Sequence, residues 1–314
     1  MVCNLVTVWH VGHSDGPVPN APSDRALQKH PMKPVIAITS PGSMGAAIGG
    51  RLTAHGIKVL TNIADRSAAS RQRAEAHGLT GATNAELAEA DFLLSIAPPK
   101  EALAIAEALA PALRRSDSKP VYVDCNAVSP ETAMRIGRAL ADTGAPYVDG
   151  GIIGGPPREG YTPRLYVSGP EASRVEDLNR YGLDVRLVEG GIGAASALKL
   201  SYAGINKGVI GIGAAMVLAA RRAGVEDALM RELTESQRAL LSQLSRGVPD
   251  MFSKAERWAP EMEEIAIYAG RGGDAEIYSG LARFYERLAQ DFSEAQDETG
   301  ALDEFFRGGR KAAE

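Results

Sequence analysis

The chain has 314 residues, 45% of them hydrophobic and 23% charged, which is enough apolar material for two ordinary domains and excludes a disordered chain. Its net charge of -5 argues against a nucleic-acid partner, because such proteins carry a basic footprint. Two cysteines, Cys3 and Cys125, are too few for a disulfide framework or a thiolate metal site and fit a reducing, cytoplasmic setting. No uncharged apolar run reaches the roughly 18 residues of a membrane span, so no membrane is expected; the longest run, 208–220, reads as buried helix.

Residues 1–33 are rich in Pro, Gly, Asp and His and show no period, so they read as a disordered extension, with Met32 a candidate start of the folded unit. The apolar, β-branched run 35–39 (VIAIT) predicts a buried strand. Helix follows over 45–55, strand over 59–63, helix over 68–77, strand or turn at 80–82 and helix over 85–90. Then come strand 91–96, helix 101–113, strand 121–124, helix 130–143 and strand 147–150, with two more strand-like stretches at 165–168 and 184–188. Strands alternating with helices of this length imply βαβ units and a mostly parallel, doubly wound sheet of Rossmann type over 34–192. From 194 to 223 no proline interrupts a long helix, and Gly224 closes it. Further helices are expected over 226–245, 250–258, 261–269, 275–293 and 299–306, which makes 193–314 an all-α domain.

Between the first strand and the first helix lies Ser40-Pro41-Gly42-Ser43-Met44-Gly45. A dinucleotide fingerprint has Gly at the first, third and sixth places of this hexad; here Ser40 replaces the first. Gly42 lets backbone approach a pyrophosphate, Gly45 lets helix and strand pack closely, and the helix N-terminus supplies amide donors. At the end of the second strand Asp65 suits a ribose diol, whereas Arg66, Ser67 and Arg71 suit a 2′-phosphate. Three donor groups against one carboxylate favour NADP(H), with NAD(H) the alternative.

With that loop in place, the chain resembles the β-hydroxyacid dehydrogenases and the 6-phosphogluconate dehydrogenase-like proteins. The similar segments are Pro41-Gly42-Ser43-Met44-Gly45, Asp124-Cys125-Asn126-Ala127-Val128-Ser129-Pro130, Asp149-Gly150-Gly151-Ile152-Ile153-Gly154-Gly155, and Gly191-Ile192-Gly193 followed by Lys199. The run Glu256-Arg257-Trp258-Ala259-Pro260-Glu261-Met262-Glu263-Glu264-Ile265 resembles a C-terminal domain of a less characterised branch. The resemblance implies an NAD(P)-dependent oxidoreductase acting on a small hydroxy or oxo acid. It also implies a catalytic lysine at Lys199, substrate contacts around Asn126, Gly154 and Gly155, and a homodimer built on the long helix. The chain departs from the family at Asn126-Ala127, where Ser-Thr is usual, at Ile153, where Ser is usual, and at Ala203, where Asn is frequent.

The chemistry asks for a proton partner at the alcohol or carbonyl oxygen, and a lysine in an apolar stretch serves if desolvation eases its deprotonation. Helical spacing puts Tyr202, Ala203 and Asn206 on the face of Lys199, so Asn206 is a candidate for the amide missing at Ala203 and Tyr202 for a hydrogen bond to substrate or lysine. Asn126 sits at the carboxyl end of a strand, where it could donate to a substrate carboxylate or to the nicotinamide amide, or cap the turn before Ser129. Ala97 and Pro98 end another strand as a wall beside the cofactor. None of the five histidines falls near this site, and no carboxylate cluster suggests a metal. Gly204, Gly208, Gly211 and Gly213 in the long helix suggest close approach by another helix, a second subunit or the cofactor. Two other readings remain open: reduction of a C=N bond, and nucleotide binding without turnover.

Overall fold

The computed structural model describes residues 33–64 and 66–313, with side chains described to residue 308. The extension expected over 1–33, but for Lys33, and the candidate ribose carboxylate Asp65 lie outside the described residues. Eight strands form one sheet: β1 (Val35–Ile38), β2 (Lys58–Thr61), β3 (Thr80–Gly81), β4 (Phe92–Ser95), β5 (Val121–Asp124), β6 (Tyr147–Ile153), β7 (Arg164–Ser168) and β8 (Asp184–Leu187). Their order is β3-β2-β1-β4-β5-β6-β7-β8. The first six run parallel, and β7 pairs antiparallel to β6 with β8 parallel to β7.

Alternate residues of each strand face opposite ways, and both ways are covered. Ile36 and Ile38 of β1 join Leu52, Val59, Leu94 and Val123 in one buried cluster. Ala37 between them joins Leu93, Tyr122, Leu109 and Ile136 in a second. Helix α1 (Ser43–Ala54) covers the first face, while α3 (Asn84–Ala88), α4 (Ala102–Arg115) and α5 (Pro130–Leu140) cover the other. Helix α2 (Ala68–Ala76) follows β2. A 3-10 stretch over Ala172–Tyr181, with apolar residues every third position, packs Ala172, Val175 and Leu178 onto the first cluster. The strand order reverses direction between β1 and β4, and a crevice for ligands opens outside the carboxyl ends of strands at such a point.

Gly193 caps α6 (Ala194–Arg222), and helices follow to the end of the described chain: α7 (Glu226–Ser236), α8 (Arg238–Met251), α9 (Ala255–Ala269), α10 (Gly273–Ser293) and α11 (Asp297–Ala313). The sequence spacing merged α7 and α8, which separate at Gln237, where ψ turns to 43°. It split α9 at Pro260, yet the helix runs through, because a proline removes only its own donor while Ala259, Met262 and Ile265 keep one face buried. By length and composition α6 is apolar enough to cross a bilayer, with an 18-residue window of mean hydropathy 1.5, which the reading of 208–220 as too short missed. In the fold it is the central helix. A Cβ on Gly204 would meet the Tyr278 hydroxyl at 3.0 Å, one on Gly211 Leu281 at 2.6 Å, and one on Gly213 Leu244 at 2.7 Å. These glycines therefore admit α8 and α10 against α6, which gives the close approach expected from them a partner within the chain.

Candidate active site

The glycine loop lies at the carboxyl end of β1. Gly42 is the N-cap of α1 in extended conformation, with no side chain capping the helix and no acid in its first turn. The amides of Ser43, Met44 and Gly45 precede the first intrahelical donor, the Ala46 N–H that bonds to the Gly42 carbonyl, and so face outward as free donors. A Cβ on Gly42 would meet nothing within 4 Å, whereas one on Gly45 would stand 2.2 Å from the Ser40 carbonyl oxygen. Gly42 thus leaves room for a ligand, and Gly45 is required by the fold itself. Free amides at a helix N-terminus beside open space fit a dinucleotide pyrophosphate.

Two further links hold the loop. The Thr39 hydroxyl accepts from the Ile96 amide at 3.1 Å, joining the ends of β1 and β4. Arg73 Nε donates to the Pro41 carbonyl at 3.1 Å, a role that sequence reasoning missed because it spans 32 residues and follows no motif. Beyond β2, Arg66 is half-buried and Arg71 exposed. The Ser67 hydroxyl accepts from the Ser70 amide at 3.2 Å and caps α2, so it is engaged within the protein rather than standing open for a phosphate.

Asn126 is a correction. Its Oδ1 accepts from the Ala97 amide at 2.6 Å, and its Nδ2 donates to Ser95 Oγ at 3.0 Å and Asp124 Oδ1 at 2.5 Å. With both Nδ2 hydrogens and the oxygen engaged and the residue 3% exposed, it has no donor left for a substrate. It ties the ends of β4 and β5 together and fixes Ala97 and the half-exposed rim at Pro98. Asp124 beneath it is pushed up to about 7, chiefly by burial, against the pull of the Asn126 amide.

Helix α6 is set by Asp149 of β6. This buried carboxylate accepts from the amides of Gly193 and Ser196, each at 3.0 Å, and from the hydroxyls of Ser168 at 2.9 Å and Ser196 at 2.5 Å. A carboxylate at a helix N-terminus answers its free donors and its dipole. Gly151 then admits the helix: a Cβ there would stand 2.8 Å from Lys199 Cβ. The two glycine-rich motifs thus meet at the root of Lys199.

Lys199 faces a cavity of about 370 Å³. Ser43 and Met44 line its nucleotide end, Gly154 and Gly155 the sheet side, and Tyr202, Ala203 and Asn206 the α6 side. Seven of the residues singled out in the sequence (Ser43, Met44, Gly154, Gly155, Lys199, Tyr202 and Asn206) therefore share one space. Gly154 has φ +128°, and Tyr161 occupies the place its side chain would take. Asn206 donates to the Tyr202 carbonyl at 2.9 Å, leaving one Nδ2 hydrogen for the cavity. The remaining wall comes from α9 and its N-cap residue and was missed: Lys254, Arg257, Trp258 and Glu261, with Lys207 of α6.

Glu261 is 8% exposed and bridges two lysines. Its Oε1 lies 3.6 Å from Lys199 Nζ, and its Oε2 accepts from Lys207 Nζ. Burial pushes the Glu261 carboxyl up, but Lys207 and then Lys199 outweigh it and hold the group below the usual carboxylate range. Burial pushes Lys207 down to about 8 against the opposing pull of Glu261. Both remain charged near neutral pH. Lys207 also lies 5.0 Å over the Trp258 ring. One turn on, Glu264 Oε2 accepts from the Ser129 amide at 2.6 Å, so α9 also caps α5 beside the nucleotide half. The signal for Glu261 was in the sequence as an acid flanked by apolar positions, but its partners lie 54 or more residues away.

Comparison with known proteins agrees with this fold. Residues 36–179 match the NAD-binding domain of 6-phosphogluconate dehydrogenase, and residues 220–288 match a domain of unknown function, DUF1932. The chain thus carries an NAD-binding domain like that of 6-phosphogluconate dehydrogenase, followed by a helical region that contains the DUF1932 match. An uncharacterised 28.5 kDa protein of Methanothermus fervidus is 27% identical over 147 residues, spanning 47% of this chain and 55% of that relative. A conserved protein of unknown function, described as structurally similar to 3-hydroxyacid dehydrogenases, superposes with TM-score 0.63 at 25% identity over 85% of this chain and 98% of its own. The same fold is seen in 3-hydroxyisobutyrate dehydrogenase of Mycobacterium tuberculosis with L-serine, at TM-score 0.65 and 19% identity over 86% of this chain and 98% of that one. It recurs in an imine reductase of Myxococcus stipitatus with NADP+, at TM-score 0.54 and 17% identity over 87% and 99%.

Proposed function

We propose that this protein is an NADP(H)-preferring dehydrogenase or reductase of a small hydroxy or oxo acid, with Lys199 as the proton partner. The observation that carries the reading is Lys199 itself, on a cavity that begins at the Ser43–Met44 turn and is walled by cationic side chains. A bound nicotinamide supplies or takes the hydride. The free amides of Ser43, Met44 and Gly45 would hold its pyrophosphate, and Arg66 and Arg71, beyond β2, would pair with a 2′-phosphate. In reduction the Lys199 ammonium donates its proton to the carbonyl oxygen as carbon accepts hydride; in oxidation the amine takes the hydroxyl proton. Asn206 offers its remaining N–H, and Tyr202 its phenol, to the substrate. Gly154 and Gly155 leave the sheet-side wall without side chains.

Charge separates this reading from C=N reduction. Lys199, Lys207 and Arg257 face the cavity with Glu261 as their neighbouring acid, a field that favours an anionic acid and opposes a cationic iminium. Cofactor turnover measured across hydroxy acids, oxo acids and cyclic imines tests it. Turnover is expected with acids, and Lys199→Met should lower it by about 10² to 10⁴ while NADPH affinity holds. Full activity in Lys199→Met, or turnover with imines alone, overturns the assignment, and no turnover with any of them favours nucleotide binding without chemistry.

The reading includes a homodimer. Ile205, Ile212 and Met216 of α6 are 67%, 51% and 58% exposed, an apolar stripe suited to a second copy of the helix. Sedimentation of Ile212→Glu against wild type should show monomer against dimer.

A further inference from the structure

The cavity carries more positive charge than its acids answer. Lys254 pairs with Asp250, but Lys199 and Lys207 share the one carboxylate of Glu261, and no acid is paired with Arg257 among the described residues. Glu261 Oε1 is buried without a hydrogen-bond partner, its lysine standing at 3.6 Å. Filling this space with a ligand removes water from the surplus cations, and desolvated charge is tolerated only when it is paired. A monoanion leaves one of them unanswered.

The two lysines leave different turns of α6, and their ammoniums converge on the two oxygens of Glu261. Their positions are eight residues apart, about 12 Å along the α6 axis. Lys199 is rooted against Gly151 at the sheet, and Lys207 lies two turns further into the helical half, over Trp258. A substrate whose reacting oxygen meets Lys199 therefore has the Lys207 ammonium beside it, with Arg257 lining the same cavity. An ammonium has three donors and Glu261 takes one from Lys207, while the exposed Arg257 fork matches the paired oxygens of a carboxylate or phosphate.

We infer that Lys207 and Arg257 form an anion subsite beside Lys199, and that the substrate carries a second acidic group. This rests on the hydroxy-acid reading above for the placement of the reacting oxygen. Because burial holds Lys207 near 8, dianion binding weakens as pH rises through that value and the ammonium is lost.

The test reads binding without turnover. The chain has two tryptophans, so Trp9→Phe leaves Trp258 as the sole reporter inside the cavity. This full-length protein, saturated with NADP+ to fill the nucleotide loop, is titrated by fluorescence with acetate, malonate and phosphoglycolate. At least one of malonate and phosphoglycolate, each with a second acidic group, should bind about tenfold or more tighter than acetate. Lys207→Met should erase that preference and leave acetate unchanged. Arg257→Gln, on an exposed side chain, should reduce it and covers the case in which Lys207→Met fails to fold. Equal affinity for acetate, malonate and phosphoglycolate, or a preference that survives both substitutions, overturns the subsite. Lys199→Met should keep the preference, so failure of the Lys199 mechanism is seen in turnover and failure of the subsite in binding.

Discussion

The two ends of the cavity are built from different materials. At the nucleotide end the groups offered to a ligand are backbone amides of one short turn, Ser43 to Gly45, and the decisive side chains are the absent ones of Gly42 and Gly45. At the other end the groups are charged side chains, Lys199 and Lys207 from α6 and Arg257 and Glu261 from α9, brought together by helix packing. The first arrangement is local and costs little to keep, since a helix N-terminus points its amides outward in any case. The second is non-local and carries buried charge, so it depends on each partner. The nucleotide end should therefore tolerate changes that spare the backbone, and the helical end should fail as a unit.

The largest effect on stability is expected from Glu261→Ala. It leaves the Lys207 ammonium, whose side chain is 15% exposed, without its carboxylate, and should cost about 3–5 kcal/mol in denaturant unfolding. Restoring neutrality with Glu261→Gln plus Lys207→Met should recover most of it; a wild-type midpoint for Glu261→Ala would show that the helical end is not a charge-coupled unit.

The glycine loop gives a sharper contrast within one turn. Gly45→Ala forces a Cβ against the Ser40 carbonyl and should cost about 1–3 kcal/mol of stability as well as NADPH affinity. Gly42→Ala meets open space, so its melting temperature should match wild type while NADPH binding falls. Equal behaviour of the two in thermal melts would break the distinction between a glycine needed by the fold and one needed by the ligand.

Smaller still is the cofactor choice. Charge-assisted contacts contribute about 1.5–3 kcal/mol, so NADPH should be preferred over NADH by about tenfold or more, and Arg71→Ala should erode that margin without changing NADH affinity. Tighter binding of NADH would return the ribose to Asp65.

A further effect concerns pH. The Asp124 carboxyl titrates near 7 in the folded protein against 3.8 as reference, so the native state keeps a proton that the unfolded chain has lost between those values. Its contribution to stability therefore falls as pH rises from 3.8 towards 7 and is constant above. Relative to Asp124→Asn, wild type should lose melting temperature across that window; a constant difference would show that Asp124 stays ionised.

Much of this was legible from residue order. Alternation of apolar runs with helical spacing places the strands from β1 to β6 to within a few residues, because strand and helix periods are properties of neighbours in sequence. The Ser40–Gly45 turn and the register of Lys199, Tyr202 and Asn206 on one helix face are local in the same way. Asn126 misled for a physical reason. A strand-end asparagine can face a ligand or tie two turns together, and the choice depends on Ala97 and Ser95, which sit on another strand.

The sequence by itself determined the α/β half with its glycine turn, the all-helical half, and the placing of a lysine near the start of the helix that follows the sheet. These follow from periodicity, from glycine where side chains cannot stand, and from the absence of strand patterns after Gly193. Only the tertiary structure decided which charges share the cavity. Lys199 and Glu261 are 62 positions apart, and what joins them is the packing of α9 against α6, set by the volumes of many small and apolar side chains at once. No spacing rule encodes that, because the energy of a buried charge depends on what lies beside it in space rather than on what precedes it in the chain.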